Sequence, residues 1–485
     1  MLDRPNVVIV VLDCVRSPDF PPGDPASPSS PNVARLIQES VVFPRAYSVA
    51  PWTIPAHRSL SSGRYFWNLP SFRAEAAKDP ALPSALSACG YSTAALLGNP
   101  TLGEASGFPV GFDRTQVAAW WEPYVRSRAE STPDGRRAPS RWSSSASSCS
   151  GLTPALELLV HASLRYPKVL EGVTRFTDKI RAPGSSSPEV TAPWIEPAFR
   201  RWLSGLPESV PGFCVVNLMD AHEPYYGSAP PGDGPRSSRQ DRLGWVLGSW
   251  TPTPSELAAL AKMYRGTFGV LDTRLGSIID SLKASGRWEN TLFIVVGDHG
   301  QSFGEHGMVF HNHRVDEQLL HIPLIVKFPF GEMGGTRALG RASLVDVAPT
   351  VLEEAGAPGA FEADGIPLRR LIALERTAPT FAASTGVEPA KRHLIPTPLR
   401  ELLDGVRIAA YDGHWKLVVG PDAPARQLYE IDSDPWEAHD VWANGRRTAP
   451  FELNRQAKDV FQNVSGTLLG PARESANHRL ALWGY

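Results

Sequence analysis

Two short apolar runs, each leading into an aspartate, constrain the fold of this chain more than any other feature. Residues 7–12 (VVIVVL) run into Asp13, and residues 291–296 (TLFIVV) lead to Asp298 and His299. Runs of β-branched residues without polar alternation are typical of strands that are buried on both faces of a parallel sheet. Because open α/β sheets bind ligands at the carboxyl ends of their strands, the pattern predicts that the two aspartates lie at one sheet edge.

A hydroxyl group that could act as a nucleophile lies between these runs. Thr53 comes two residues before Pro55, at what the sequence predicts to be a rigid turn just before a helix. A metal ion held by Asp13, Asp298 and His299, with Thr53 as a further ligand, would help to deprotonate this hydroxyl and would orient it for in-line attack. These residues therefore predict a metal-dependent site for attack on an ester.

The order of motifs along the chain resembles that of the alkaline phosphatase superfamily, most of all its sulfatase-like and nucleotide pyrophosphatase/phosphodiesterase-like hydrolases. The segments that carry the resemblance are residues 6–16, 31–36, 53–63 (TIPAHRSLSSG), 217–225 (NLMDAHEPY), 297–300 (GDHG), 304–307 (GEHG), 321–326 (HIPLIV), 346–350 (DVAPT) and 428–435 (LYEIDSDP). The resemblance implies an α/β fold with a mostly parallel central sheet flanked by helices, and a smaller C-terminal α+β subdomain. We expect a catalytic domain over residues 1–370, with an insertion at about 104–190, and the subdomain over residues 371–485.

The resemblance also implies roles for five further residues. Arg16 and His57 would bind the anionic substrate, and His222 or His311 would protonate the leaving alcohol. Asp220 could instead join these two histidines as a ligand of a second cation. Both forms of the site remain open at this stage, and the Asp-x-His spacing at 220–222 favours the form with one metal.

Two of the departures from the sulfatase pattern concern the nucleophile and the metal ligands. Thr53 stands where sulfatases carry a cysteine or serine that is oxidised to formylglycine, and the methyl group of threonine would leave a ketone instead of that aldehyde. Cys14 stands where the family often has a second aspartate, so one carboxylate ligand is missing. We therefore expect zinc or manganese first, with calcium or magnesium as the alternatives, since these harder ions prefer sites made only of oxygen.

The residues together predict a metal-dependent hydrolase of phosphate, phosphodiester or phosphonate esters that works through a covalent Thr53 intermediate. One alternative is a sulfate-ester hydrolase that needs no formylglycine, and another is a phospho-alcohol transferase. A third is a catalytically degenerate sulfatase-like protein that only binds an anion, and Cys14 is the feature that favours it. In each case the partner is a small anionic molecule whose leaving group the sequence does not identify.

Composition excludes several other partners. The chain has 485 residues and a net charge of −2, which gives no electrostatic basis for binding nucleic acid. Its four cysteines, at positions 14, 89, 149 and 214, are scattered, as is typical of a reducing compartment. No apolar run approaches the roughly 20 residues that span a bilayer. From this we expect a soluble, cytoplasmic protein.

Hydrophobic periodicity and the positions of turn-forming residues predict further helices and strands. Helices are predicted at 82–89 and 257–282, and strands at 91–97, 213–219, 405–411, 414–419 and 427–431. Within the insertion, residues 127–151 are rich in Ser, Arg and Pro and predict a loop, and 152–180 predict a basic helix. The last 35 residues carry too weak a pattern for a prediction.

Overall fold

The computed structural model of the chain describes thirteen segments. These are residues 4–20, 30–70, 79–103, 106–108, 110–118, 193–223, 225, 245, 250–386, 399–400, 403–420, 426–444 and 451–469. Every predicted site residue falls within them. The chain divides into one compact unit, Met1–Ala118 with Thr191–Tyr485, and a second unit, Ala119–Val190. The loop and the basic helix predicted for the insertion lie outside the described residues.

The strands and helices are numbered in chain order. The strands are β1 (Asn6–Leu12), β2 (Val41–Val42), β3 (Ala46–Tyr47), β4 (Ser92–Leu97), β5 (Arg114–Val117), β6 (Gly212–Leu218), β7 (Thr291–Gly297), β8 (Ser302–Phe303), β9 (Val309–Phe310), β10 (Leu324–Lys327), β11 (Thr336–Arg337), β12 (Ala342–Ser343), β13 (Thr380–Ser384), β14 (Arg407–Asp412), β15 (Trp415–Val419) and β16 (Arg426–Glu430). The helices are α1 (Pro31–Gln38), α2 (Thr53–Ser62), α3 (Leu82–Ala88), α4 (Ile195–Ser204), α5 (Pro254–Gly266), α6 (Phe268–Ala284), α7 (Glu317–Leu320), α8 (Val347–Glu354) and α9 (Phe451–Leu469).

An eight-stranded central sheet has the order β11-β2-β10-β7-β1-β6-β4-β5. The pairs from β7 through β5 are parallel, and β10 is antiparallel to both of its neighbours. Leu12 is in register with Leu218 on one side and with Gly297 on the other. Because these three strands end together, the residues that follow them meet at one edge, as the apolar runs predicted. The mostly parallel α/β sheet is confirmed.

Both faces of the central sheet are buried. Alternate side chains of a strand point to opposite faces, and those of β1 enter two separate hydrophobic clusters: Val7, Ile9 and Val11 in one, and Val8, Val10 and Leu12 in the other. All six are fully buried, and each contributes roughly 1.5–3 kcal/mol to stability. This two-sided burial explains why the run shows no polar alternation.

The C-terminal region forms a four-stranded antiparallel sheet in the order β13-β14-β15-β16, with α9 packed against β14 and β15. This sheet confirms the smaller C-terminal α+β element, although α9 carried too weak a pattern to be predicted. The helix predicted at 257–282 is two helices, α5 and α6, which meet at Thr267. The Thr267 hydroxyl donates to the carbonyl of Tyr264 at 2.7 Å, one way in which threonine competes with helical hydrogen bonding. Among the described residues, no helix is long and apolar enough to cross a membrane.

Candidate active site

The two predicted aspartates meet at the carboxyl ends of β1 and β7. Both are fully buried. Oδ1 of Asp298 accepts from the backbone N–H of Cys14 at 3.1 Å and from that of His299 at 2.8 Å. Gly300 completes the turn, because a Cβ there would lie only 2.0 Å from the carbonyl oxygen of Gln318. The hydrogen bond from Cys14 and the parallel pairing of β7 with β1 hold Asp298 and His299 beside the end of β1.

Thr53 lies at the first position of α2, so the predicted turn is itself the start of the helix. Trp52 is extended, with φ −158° and ψ 158°, and the helical conformation begins at the next residue. Pro55 is tolerated because the first turn of a helix needs no N–H from it. The helix ends at Gly63, whose φ is 67°. A helix N-terminus stabilises negative charge, which suits a hydroxyl that has to become an alkoxide.

The Thr53 hydroxyl points toward the metal-type ligands. Its Oγ1 lies 3.2 Å from Nε2 of His299 and 3.5 Å from Nδ2 of Asn99. Nδ1 of His299 lies 3.0 Å from the carbonyl of Gly300. A carbonyl can only accept, so Nδ1 carries the proton and Nε2 is the unprotonated nitrogen of the neutral ring. The structure thus brings together Thr53, His299 and the two aspartates.

Two asparagines that the sequence analysis missed belong to the same site. Asn99, which follows β4, donates to Oδ2 of Asp13 at 2.8 Å, and Asn217, in β6, donates to the same oxygen at 3.2 Å. Oδ1 of Asn217 accepts from the backbone N–H of Asn99 at 2.9 Å. The signal available was the position of Asn99 just past a predicted strand, as with Asp13 and Asp298.

His57 lies behind the nucleophile. Its Nδ1 lies 2.9 Å from the carbonyl of Thr53, and its Nε2 lies 3.3 Å from Nδ2 of Asn217. Its side chain is fully buried, so both ring nitrogens have partners inside the protein. In place of the expected substrate contact, this geometry favours a role in positioning Thr53.

Burial and like charges dominate the electrostatics of the site. Burial and the nearby Asp13 raise the pKa of Asp298 well above its usual range. Burial alone would raise the pKa of Asp13 too, but the neighbouring His222 and His299 lower it. Burial lowers the pKa of His57 and of His299 to about 4 each. Both histidines are therefore neutral at neutral pH, the form in which an imidazole binds a metal.

These residues fit a divalent cation. Ligand atoms of Asp13, Cys14 and His299 lie within 4.8 Å of one another. Oδ2 of Asp298 is buried and has no hydrogen-bond partner among the described residues, which is costly for a carboxylate unless a cation balances it. Carboxylate and imidazole together suit zinc or manganese better than calcium.

His222 and His311 lie together on the adjoining side of the site. Their ring centroids are 5.1 Å apart, and the ring of His311 is 4.7 Å from that of His299. Oε2 of Glu223 lies 3.6 Å from Nδ1 of His222 and 3.7 Å from Nδ1 of His311. Gln301 donates to the same carboxylate oxygen at 2.8 Å. The two histidines were predicted from the sequence, whereas Glu223 and Gln301 were not.

Two predicted site residues have partners elsewhere. Oδ1 of Asp220 accepts from Nε of Arg274 at 3.0 Å, so the structure gives this carboxylate a buried cationic partner from α6. Arg16 forms ion pairs with Asp19 and with Glu305, the latter at 2.7 Å. Its charge is therefore already balanced, which disfavours the expected role in binding the substrate anion.

A sequence profile described as Sulfatase matches residues 5–357 of this chain. The chain belongs to the sulfatase family. Its fold, its strand-end aspartates and the order of its motifs agree with this assignment, and the resemblance noted in the sequence is confirmed. As a sulfatase-family protein it is an ester hydrolase, and the enzymes of this family use a divalent metal.

Individual relatives span sulfur and phosphorus chemistry. The choline-sulfatase of Rhizobium meliloti (strain 1021) is 24% identical over 471 residues, which cover 91% of this chain and 83% of that protein. The phosphonate monoester hydrolase of Agrobacterium radiobacter is 20% identical, with a TM-score of 0.64 over 96% of both chains. A protein solved with its substrate D-glucosamine-2-N,6-O-disulfate is 15% identical, with a TM-score of 0.61 over 97% of this chain and 100% of that chain. The two structural likenesses show a shared fold.

Proposed function

We propose that this sulfatase-family hydrolase cleaves phosphate, phosphodiester or phosphonate esters through a covalent intermediate on Thr53. One observation carries the proposal: Oγ1 of Thr53 lies 3.2 Å from the unprotonated Nε2 of His299, at the helix N-terminus that faces the buried pair of aspartates. A hydroxyl in this setting suits direct attack, and threonine cannot yield the formylglycine aldehyde.

A bound divalent cation would neutralise the ester oxygens and lower the pKa of the attacking hydroxyl. Asp13, Asp298 and His299 would hold it. The protein's own contribution is positioning: Asn99 and Asn217 orient the carboxylate of Asp13 through its Oδ2.

The reaction has two steps. In the first, Oγ1 of Thr53 forms a bond to the tetrahedral phosphorus, while the bond from phosphorus to the leaving oxygen breaks on the opposite side. The proton that Oγ1 loses is transferred to the leaving oxygen, which departs as an alcohol. In the second step, a water oxygen attacks the same phosphorus and the bond to Thr53 breaks, while one proton of the water passes to Oγ1 and restores the hydroxyl. If another alcohol replaces water, the same chemistry gives transfer.

Sulfate esters are the second candidate substrate. The similarity to a choline-sulfatase over 91% of this chain favours them. A sulfate ester is also a tetrahedral anion, so the same hydroxyl and cation could act on it without formylglycine. Phosphorus esters are preferred here because a threonine nucleophile matches the phosphodiesterase pattern that residues 53–63 resemble.

A substrate panel tests the proposal. Chromogenic phosphate monoester, phosphodiester, phosphonate and sulfate ester substrates would be assayed after chelation and after return of zinc, manganese, calcium or magnesium. We expect a phosphorus ester to be cleaved fastest, with zinc or manganese. Faster cleavage of the sulfate ester would select the second candidate instead.

Variants of the nucleophile test the intermediate. Thr53→Ala should lower turnover by several orders of magnitude, as is usual for loss of a nucleophile. Thr53→Ser keeps a hydroxyl at the same position and should retain measurable activity. Near-normal turnover in Thr53→Ala, with an unchanged circular dichroism spectrum, would contradict the covalent mechanism.

A further inference from the structure

The turn that follows β1 has a backbone conformation that its residues do not favour by themselves. Cys14 has a φ of 63°, in the left-handed region that a residue with a Cβ rarely adopts. Such residues persist only where the surrounding structure holds them, and they concentrate at functional sites. Cys14 and Arg16 are both buried, so water does not supply the partners that the backbone of the turn needs. Contacts within the protein must therefore hold this conformation.

One hydroxyl group bonds to the backbone at both ends of the turn. Oη of Tyr264 donates to the carbonyl of Cys14 at 2.9 Å and accepts from the backbone N–H of Arg16 at 2.9 Å. Buried N–H and C=O groups have to find hydrogen-bond partners, and here a single side chain supplies partners for two of them. The hydroxyl thereby bridges the peptide groups on either side of Val15 and stabilises the left-handed conformation.

Tyr264 can do this because its own position is fixed by its neighbours. It lies in the last turn of α5, where its carbonyl accepts from the hydroxyl of Thr267 at 2.7 Å. Its side chain is fully buried, and its ring centroid lies 5.0 Å from that of Phe268 and 5.0 Å from that of Phe303. Since the ring cannot turn without disturbing this packing, the hydroxyl stays at one position beside the turn.

The conformation of the turn decides which oxygen of Asp298 is left for a cation. The N–H of Cys14 donates to Oδ1 of Asp298 at 3.1 Å, and the N–H of His299 donates to the same oxygen at 2.8 Å. Oδ2 of Asp298 has no hydrogen-bond partner among the described residues. It lies 3.5 Å from Nε2 of His299, the unprotonated nitrogen of that ring. The turn thus occupies one carboxylate oxygen and leaves the other beside a second ligand-type atom.

We propose that Tyr264 is a positioning residue for the divalent cation: its hydroxyl holds the turn after β1 so that Asp298 presents Oδ2 to the metal. The inference rests on the proposed function for the cation itself. It deepens that function by adding a residue that acts through the backbone of Cys14 and is not a ligand. Groups that orient metal ligands in this way typically change the affinity for the metal by roughly 10–100-fold when they are removed.

A purely structural role for the hydroxyl is the alternative, and Tyr91 provides the matched control. Tyr91 is also buried, and its hydroxyl donates to the carbonyl of Pro5 at 3.0 Å, at the opposite end of β1. Tyr91→Phe and Tyr264→Phe therefore remove the same atom, in each case from a hydrogen bond to backbone next to the same strand. A structural role predicts that both variants lose stability and that both keep the metal affinity of the folded protein.

Zinc titration of the metal-free protein measures this affinity without relying on activity. Each variant would compete with a chromogenic chelator for zinc, under conditions where circular dichroism and urea unfolding show that it is folded. Tyr264→Phe should bind zinc about 10–100-fold more weakly than the unmodified chain, and Tyr91→Phe should stay within about twofold of it. An unchanged affinity in Tyr264→Phe would overturn the inference.

Cys14→Gly provides a second test within the same turn. Glycine adopts a positive φ without the steric cost of a Cβ, so the turn in this background depends less on the hydroxyl. Tyr264→Phe should therefore weaken zinc binding less in Cys14→Gly than in the unmodified chain, and equal losses would overturn the inference. If Tyr264→Phe folds only in combination with Cys14→Gly, this rescue supports the inference. If neither the single nor the double variant folds, the hydroxyl serves the whole fold and the positioning role is rejected.

The failure of this inference can be distinguished from the failure of the proposed function. Unchanged zinc affinity in Tyr264→Phe, together with cleavage of a phosphorus ester that depends on Thr53, would reject the positioning role and keep the proposed function. Weaker zinc binding in Tyr264→Phe, in a protein that cleaves no phosphorus ester, would keep the positioning role and reject the proposed function.

Discussion

Two buried groups of charged side chains in this protein differ in how their charges are balanced. At the strand ends, Asp13 and Asp298 lie among amide donors and neutral histidines, and within the described residues no lysine or arginine pairs with them. Against the C-terminal sheet, Nζ of Lys416 lies 3.0 Å from Oε1 of Glu317 and 2.7 Å from Oε1 of Glu437. The group around Lys416 contains its own cation, whereas the group at the strand ends fits a cation that binds from solution.

The pKa directions express the same difference. Burial alone would lower the pKa of Lys416, but Glu317 and Glu437 raise it above its usual value. At the strand ends, burial and Asp13 raise the pKa of Asp298. Burial of charge therefore does not by itself mark a functional site. A group with an internal counter-ion needs no ligand to balance its charge, whereas a group without one fits a ligand of opposite charge.

The largest expected effect is that of Asp298→Asn on activity. The asparagine keeps an Oδ1 for the N–H groups of Cys14 and His299 but removes a charge from the cation site, so turnover should fall by roughly three orders of magnitude or more. The free energy of unfolding of the metal-free protein should stay the same or rise, because a buried repulsion is relieved. Steady-state kinetics and urea unfolding measure the two effects. A marked loss of stability would show instead that the charge of Asp298 stabilises the metal-free fold.

Lys416→Met should give the next largest effect, on stability and not on activity. It leaves Glu317 and Glu437 buried without their cation, so the free energy of unfolding should fall by about 3–5 kcal/mol. Turnover per folded molecule should change little. The matched control is the triple change with Glu317→Gln and Glu437→Gln, which should restore much of the stability. A stable Lys416→Met with low activity would instead place Lys416 in the catalytic machinery.

Acid should destabilise the metal-free protein through its neutral histidines. His57 and His299 have pKa values of about 4 when folded, against an ordinary 6.5. As the pH falls from about 6.5 to 4 the unfolded chain binds these protons first, so stability is lost by up to about 3 kcal/mol per histidine. Asp298 opposes this loss, since its raised pKa makes the folded state bind a proton first. Unfolding curves across this range should therefore fall more steeply in Asp298→Asn, and equal slopes would contradict these assignments.

Asn99→Ala should give the smallest of these effects. It removes the hydrogen bond to Oδ2 of Asp13 and the contact with Thr53, so activity or metal affinity should fall about 10–100-fold. Thr101→Val is the control, because the Thr101 hydroxyl donates to Oδ1 of Asn99 at 2.7 Å and not to the Nδ2 group that contacts Asp13. Steady-state kinetics and metal titration compare the two variants. Similar losses in both would mean that Asn99 acts through the loop and not through Asp13.

The predicted residues that were brought together share a simple origin. Asp13, Asp298 and His299 directly follow apolar runs, and parallel strands in one register end at the same edge, so their proximity follows from local sequence. Thr53 was found through its motif. Asn99 also follows a predicted strand, but it was missed because asparagine is an ordinary residue in loops. Glu223 lies in the 217–225 segment, where only Asp220 and His222 were predicted as site residues.

The mostly parallel sheet, its buried strands and the meeting of the two aspartates could be predicted from the sequence, because hydrophobic periodicity and strand direction are local properties. Only the tertiary structure decided which side chains past the strand ends face the site. Asp220 forms an ion pair with Arg274, and Arg16 forms one with Glu305. The carboxylate of Glu223 lies between His222 and His311. These choices depend on the conformation of each turn and on partners dozens to hundreds of residues away. A long-range ion pair or a left-handed residue leaves no periodic trace in the sequence.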